Sequence, residues 1–132
     1  MDIALLQKGY CLPPVSFVLD GAAVKRYLEA VEDVAFAAFC EAEAQAWAPP
    51  MAVAALAVRG LMEAMGLPAG AVHTSQEIEF RRPVLVGERL ASRAWIAHRS
   101  HRGGWLALAV EMEATDDSGQ AVLVGRASVL IP

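Results

Sequence analysis

The sequence predicts an α+β domain in which one long apolar helix lies across a five-stranded antiparallel sheet. Three observations carry that expectation. Between Ala48 and Val58 every residue is apolar or proline, and only Arg59 and Glu63 interrupt the run before Gly66-Leu67-Pro68 closes it. From Val72 onward the hydrophobic period becomes two, through four strand-like runs separated by turn residues. A short apolar run ahead of the helices, Val15-Ser16-Phe17-Val18-Leu19, supplies the fifth strand. Short links favour antiparallel pairing, and a helix lying on such a sheet makes a two-layer domain.

In chain order, residues 1–14 hold Gly9, Pro13 and Pro14 and read as an irregular lead-in. After the first strand, Asp20 offers an N-cap. Val24, Tyr27, Leu28 and Val31 then recur at helical spacing, with Lys25, Arg26, Glu29 and Glu32 opposite them. Residues 34–47 are alanine-rich and helix-prone, with Phe36, Phe39 and Trp47 as the bulky members, but no signal separates them from the helix before. The central helix follows. Pro50 fits a first turn, where a missing N–H costs nothing, and Gly66 with Pro68 is a stop signal. About sixteen residues at ~1.5 Å each make a rod of roughly 24 Å, too short for a bilayer, which needs ~20 apolar residues. Its lack of a clean amphipathic period predicts cover on most sides, with Met51, Val53, Leu56, Val58, Leu61, Met62 and Met65 hidden.

Beyond Pro68-Ala69-Gly70, Val72, Thr74, Gln76, Ile78 and Phe80 alternate with His73, Ser75, Glu77, Glu79 and Arg81. Arg82-Pro83 ends that strand and Val84 through Glu88 turn the chain. Leu90 to His98 forms the next strand, and Arg99 to Gly104 reads as a hairpin loop. Trp105 to Thr115 follows, with Leu106, Leu108, Val110 and Met112 on one side. Asp116-Asp117-Ser118-Gly119 is a turn, and Ala121 to Ile131 is the last strand.

The totals set bounds. A chain of 132 residues is expected to form one domain, spanning 1–132, with one core. It is 56% hydrophobic and only 20% charged, with mean hydropathy +0.39. So much apolar surface on a small domain implies burial against another chain. The net charge of −4 and the absence of a basic stripe argue against nucleic acid. The first residues lack a basic segment followed by a long apolar one, so no signal peptide and no membrane insertion are expected. Cys11 and Cys40 are lone thiols without metal-ligand spacing, which fits a reducing, cytoplasmic setting and no metal.

Lys25-Arg26-Tyr27-Leu28-Glu29-Ala30-Val31-Glu32-Asp33 resembles the opening of the MaoC-like (R)-specific enoyl-thioester hydratases and dehydratases. The run from His73 to Val84, with Gly87-Glu88, resembles that family's strand-and-turn signature around Phe80-Arg81-Arg82-Pro83-Val84. Ala48-Pro49-Pro50-Met51 is most similar to the version found in N-terminal halves and non-catalytic subunits, including the fungal fatty-acid-synthase-like dehydratase domains. The resemblance implies the hotdog fold, a sheet wrapped around the central helix, dimers joined edge to edge, and an acyl-thioester site between protomers. The thioester carrier is coenzyme A or an acyl-carrier protein, and no other cofactor is implied.

Hydrating a 2-enoyl thioester needs a water held and deprotonated at C3, with negative charge stabilised on the thioester oxygen. The family uses Asp-x-Asn-Pro-x-His, whose Asp and His share the water as acid/base groups, and a backbone N–H at the start of the central helix. Laid onto this chain, Asp33 takes the Asp position, but Ala35, Phe36 and Ala38 stand where Asn, Pro and His are expected. The pair is broken. Asp33 remains the one candidate catalytic group, and its ordinary role as a solvated acid near a helix end is the alternative. The family's helix-start glycine is replaced by Pro49-Pro50, which cannot donate, so Met51 or Ala52 is the first available N–H.

Pro50, Met51 and Ala52 are therefore candidate substrate-binding positions, with Arg82 in the strand-and-turn signature. Arg99 and Arg102, beside His101 and two glycines, are candidate clamps for coenzyme A phosphates, or simply a soluble turn. His73, beginning a strand where the helix ends, reads as a structural hydrogen-bonding group. Glu41 and Glu43 precede the central helix, where a carboxylate directs water in a thioesterase, or they form an exposed face. Arg59 and Glu63, four apart, pair with each other or with a partner subunit.

Three readings follow. The first is an acyl-binding hotdog subunit whose acid/base pair comes from a dyad-bearing hotdog partner. The second is a stand-alone acyl-CoA thioesterase using Glu41, Glu43 or Asp33. The third is a non-catalytic homodimer that only binds an acyl ligand.

Overall fold

The computed structural model describes residues 3–132, so the first two residues of the expected lead-in lie outside it. Ile3–Leu5 form a 3-10 turn, followed by β1 (Val15–Val18), α1 (Gly21–Ala30), α2 (Val34–Glu43) and α3 (Pro50–Met65). The strands β2 (Val72–Phe80), β3 (Arg89–Arg102), β4 (Trp105–Thr115) and β5 (Ala121–Ile131) complete the chain. They form one antiparallel five-stranded sheet in the order β1-β3-β4-β5-β2. The expected α+β architecture is what the chain adopts.

Local chemistry sets the element ends. The Asp20 carboxylate accepts from the Ala23 N–H at 2.8 Å and caps α1. Gly66, at φ 56°, closes α3 in the left-handed conformation that glycine adopts without Cβ strain. The boundary that the sequence left open lies at Glu32, whose φ is 57°, and Asp33 then caps α2 by accepting from the Phe36 N–H at 3.0 Å. Ala44, at φ 51°, ends α2. Val31, expected on the buried face of α1, instead caps its C-terminus and is exposed.

Two expectations about the strands are corrected. β3 runs through Arg102, so Arg99, Ser100, His101 and Arg102 belong to the strand, and Gly103-Gly104 alone turn the hairpin. The glycines take both positive-φ positions of a tight hairpin, so no longer loop is needed. β2 pairs with β5, not with β3. Residues 81–88 therefore cross the end of the sheet, where the Ala48 N–H donates to Val84 O at 2.7 Å and the Val86 N–H to Ala46 O at 2.8 Å.

Register shifts also change which side chains share a face. A shift between His73 and Ser75 breaks the uniform alternation expected of β2: His73 lies opposite Val129 while Gln76 lies opposite Ala127, both on the concave side. A second shift between Ile96 and His98 inverts the parity of β3, placing Arg99 opposite the buried Leu108.

The core lies between α3 and the concave face of β1, β3, β4 and β5, with Leu123, Ala127, Val129 and Ile131 of β5 fully buried in it. Ala57, Leu61 and Met65 meet Leu90, Ile96, Val110 and Met112 there. β4 alternates as predicted, with Leu106, Leu108, Val110 and Met112 all buried. The expectation that α3 is covered on most sides is only partly met. Met51 is 59% exposed, Leu56, Val58 and Met62 are half-buried, and Met51, Ala55, Arg59 and Glu63 form an exposed stripe. One concave sheet face can cover only one side of a cylinder, and among the described residues no second layer covers the other.

Candidate functional site

The cover is loosest at one end of the sheet, over Phe80 of β2 and Val122-Leu123 of β5. There α2 stands over the sheet end with an apolar cavity of about 590 Å³ beneath it. Phe36, Phe39 and Glu43 enter from α2, Pro50 and Val53 from the start of α3, and Phe80, Val84, Val122 and Leu123 from the sheet end and the crossing segment. The helix spacing explains the first set: positions 36, 39, 40 and 43 share one face. The two phenyl rings tilt against each other with centroids 6.5 Å apart. Such a volume with mostly apolar walls is typical of a ligand pocket.

The start of α3 abuts this cavity through Pro50. Pro49 caps the helix with no side-chain hydrogen bond, and its carbonyl accepts from the Ala52 N–H at 3.0 Å and the Val53 N–H at 3.2 Å. Two prolines precede Met51, whose N–H finds no acceptor among the described residues. That leaves one free donor at the positive end of a 16-residue helix. Of the three candidate positions there, Met51 holds the free donor, Pro50 lines the cavity, and the Ala52 N–H is already engaged.

Arg82 also lines the cavity, but both terminal nitrogens of its guanidinium are engaged elsewhere. It donates to Pro83 O at 2.8 Å, to both Glu88 carboxylate oxygens at 3.2 and 2.8 Å, and to Asp116 Oδ2 at 2.9 Å. The Glu88 carboxylate in turn accepts from the Leu85 N–H at 2.7 Å. Arg82 thereby rivets the crossing segment to the β4–β5 turn. The hydrogen bond from Arg82 holds Glu88 below its usual carboxylate range. Asp116 is pushed far below its own, first by the Ser118 hydroxyl and then by Arg82. The two carboxylates raise the already high pKa of the guanidinium. This is a structural cluster whose polar groups face one another. Its Asp116 lies 34 residues from Arg82 and could not be read from local pattern.

The remaining candidates are dispersed. Asp33 caps α2 and lines a shallow groove between α1 and α2, not the apolar cavity. Arg99 donates to Ile3 O at 3.2 Å and Leu6 O at 3.0 Å, tying the N-terminal turn onto β3. Arg99 and the exposed Arg102 lie at the hairpin end of β3, roughly 30 Å along the strand from the cavity end. His73 hydrogen-bonds Gln76 Oε1 at 3.1 Å at the start of β2, also remote. Arg59 pairs with Glu63 at 2.9 Å on the exposed stripe of α3. Glu43 lines the cavity, Glu41 does not, and no histidine is among the lining residues. The sequence reading did not single out Phe36, Phe39, Phe80 or Val122 as site residues. Only the 36-39-43 spacing signals a shared face, and nothing in it says what that face meets.

Comparison with solved structures shows the same fold across nearly the whole chain. The (R)-hydratase from A. caviae involved in PHA biosynthesis superposes with a TM-score of 0.76 at 22% identity, covering 96% of this chain and 98% of that one. A chain of the HadBC (3R-hydroxyacyl-ACP dehydratase) complex from Mycobacterium tuberculosis gives 0.75 at 25% identity, covering 93% and 96%. A chain of the ChsH1-ChsH2 complex from the same organism gives 0.74 at 11% identity, covering 96% and 98%. No match is found among curated proteins. The architecture is thus the hotdog fold of the MaoC-like hydratases and dehydratases. More particularly, the chain belongs to the family described as "FAS1-like, dehydratase domain region", whose model matches residues 7–124.

Proposed function

We propose that this chain is the acyl-binding subunit of a hotdog 2-enoyl-thioester hydratase or 3-hydroxyacyl dehydratase, working beside a hotdog partner that carries the acid/base pair. One observation carries the reading: an apolar cavity of about 590 Å³ reaches Pro50, the residue before the free Met51 N–H at the helix start, and no imidazole lines it. The cavity suits the acyl tail and the Met51 N–H suits a thioester oxygen that gains charge as the enolate forms. No histidine lines the cavity, its one lining carboxylate is Glu43, and Ala38 stands where the family carries histidine, so the paired acid/base groups are not both present. Partnership is supported by the two heteromeric complexes among the structural relatives, and by the exposed stripe of α3. The substrate carrier is coenzyme A or an acyl-carrier protein. The unpaired thiols of Cys11 and Cys40 support a cytoplasmic setting. Among the described residues no helix is long and apolar enough to cross a membrane.

The test is hydration of a 2-enoyl-CoA by this chain alone and after mixing with a partner bearing Asp-x-Asn-Pro-x-His. Activity only in the mixture is expected, and full activity alone would sink the proposal. A second reading rests on Glu43, the carboxylate in the cavity lining: a homodimeric thioesterase in which Glu43 directs water at the thioester carbon. It requires thiol release from acyl-CoA that Glu43→Gln abolishes. Calorimetric binding with neither reaction, alone or in the mixture, would leave a binding homodimer.

A further inference from the structure

The helix that roofs the cavity is barely attached to the rest of the fold. Eight of the ten residues of α2 are Val, Ala, Phe or Cys, yet none is buried. Val34 is 83% exposed and Phe39 is 52% exposed. α2 packs on α1, and among the described residues no hydrogen bond or ion pair joins residues 34–43 to the sheet or to α3. Its links to the chain on either side are local: the Asp33 N–H to Leu28 O at 3.0 Å and the Phe36 N–H to the Asp33 carboxylate at 3.0 Å, the Ala44 N–H to Glu41 O at 3.2 Å and the Gln45 N–H to Cys40 O at 3.1 Å, and a weak contact from the Cys40 thiol to Trp47 O at 3.9 Å.

Both ends of this helix turn on residues in the left-handed region, Glu32 at φ 57° and Ala44 at φ 51°. Among the described residues they are the two non-glycine positions with positive φ. A side chain at such a φ is strained, so the closed position must be held by something. Toward the sheet the structure supplies only Phe36 and Phe39 across an apolar space that they do not fill; the other contacts of α2 run to α1 and to its own flanking residues.

We infer that α2 is a hinged roof, pivoting at Glu32 and Ala44, and that a long apolar acyl tail is what holds it down. The inference rests on the acyl-binding reading and sharpens it: the site takes long-tailed thioesters and rejects short ones. A short acyl group leaves Phe36 and Phe39 facing an empty space. A long one fills the cavity, buries both rings and replaces the missing contacts, so tail length is read as roof closure. Phe36 and Phe39 are thereby specificity-determining residues.

The chain carries its own probe. The Cys40 thiol shares a helical face with the lining residues Phe36 and Glu43 and lies against Trp47, whereas Cys11 is exposed and remote from the cavity lining. The full chain is titrated calorimetrically with S-alkyl coenzyme A thioethers of two, six and twelve carbons, which neither a hydratase nor a thioesterase can turn over. Alkylation rates at Cys40 and Cys11, and amide exchange over residues 34–43, are followed at two protein concentrations. Affinity is expected to rise about tenfold for every two methylenes, at the transfer energy of a buried CH₂. In the free chain, residues 34–43 exchange far faster than those of α3. The twelve-carbon tail slows both that exchange and Cys40 alkylation at least about tenfold, with Cys11 unchanged. The double variant Phe36→Ala/Phe39→Ala flattens the tail-length dependence while its urea midpoint stays close to that of the parent.

Tails that bind with rising affinity but leave Cys40 and α2 exchange unchanged would overturn the hinge and keep the acyl-binding reading. Tails that do not bind at all would overturn the reading as well as the tail's role. Protection of α2 in the free chain equal to that of α3, or protection that appears only at the higher concentration, would overturn the roof. The second result would assign α2 to an interface between copies.

Discussion

The two halves of the sheet are covered by helices of similar composition with opposite results. Over β1, β3 and β4, α3 buries Ala57, Leu61 and Met65 completely or nearly so. Over β5 and β2, α2 is as rich in apolar residues and buries none. Composition makes a helix willing to be covered; where the chain enters and leaves decides whether it is. α3 runs from the crossing segment back along the strands, so its length lies on the concave face. α2 is hung between α1 and Trp47, so it reaches the sheet only through Phe36, Phe39 and a cavity. Tight packing along the sheet and open space at the Phe80 and Val122 ends of β2 and β5 put the pocket beside a rigid rod instead of inside the core.

The sharpest way to break this contrast is to truncate equivalent side chains on the two helices. Leu61→Ala is expected to cost about 2–5 kcal/mol, because the cavity it opens is walled by well-packed neighbours. Phe39→Ala is expected to cost under ~1 kcal/mol despite the larger ring, since that ring is already half in solvent. Urea denaturation of the two variants checks both, and equal losses would show that α2 is as firmly packed as α3.

A second substitution asks whether the looseness of the β5–β2 half extends to its strands. A Cβ built on Gly125 would lie 2.5 Å from Glu77 O and 2.9 Å from Ile78 Cδ1. β2 therefore sits closely on β5, and Gly125→Ala is expected to cost about 1–3 kcal/mol by pushing the edge strand away. A neutral result would mean that the edge yields.

Arg82→Ala removes the rivet at the end of the same half. It is expected to lower the thermal midpoint by about 5 °C at neutral pH, as for a loss on the order of 1 kcal/mol in a domain of this size. Glu88 and Asp116 both have folded-state pKa values below their ordinary values of 4.5 and 3.8. The stability they contribute is thus present above those values and is lost as pH falls through the folded-state ones. The gap between parent and variant should shrink as the pH is taken below 4, and melting curves at pH 7 and pH 3 read it directly. A gap that persists unchanged would place the stabilisation elsewhere.

The smallest expected effect is a gain. At Gly60, within α3, an added Cβ would meet only Val15, at 3.5 Å, an ordinary contact. Gly60→Ala should therefore stabilise the chain by about 0.5–1 kcal/mol through helix propensity. Measured beside Leu61→Ala, it separates what the backbone of α3 contributes from what its packing contributes.

The fold was legible wherever a local signal exists. Pro50 and Gly66 marked α3, period-two runs marked β2 to β5, and Asp20 marked α1. The α1–α2 boundary was not, because it turns on Glu32 in a conformation for which glycine or asparagine is the usual signal. The hairpin was read too long because Arg99, His101 and Arg102 look like loop residues, although two glycines suffice to turn it. The site was legible only in outline. The helix-start prolines and the free Met51 donor follow from residue chemistry. The occupation of Arg82 by Asp116, the gap under α2 and the distance of Arg99 from it all depend on which strands become neighbours. No short window of sequence contains that information.

The shift between Ile96 and His98 has a consequence for how this chain tolerates change. A strand keeps a two-beat rhythm, and one supernumerary residue near Ala97 puts everything beyond it on the off-beat. Because of that skipped beat, an arginine faces inward at position 99 and grasps the carbonyls of the leading turn, seating Leu6. Excising Ala97 would leave every later residue chemically intact and swing Arg99 outward, so the turn at Ile3–Leu5 would lose its anchor while residues 9–12 keep their backbone bonds to Ile96 and Ala94.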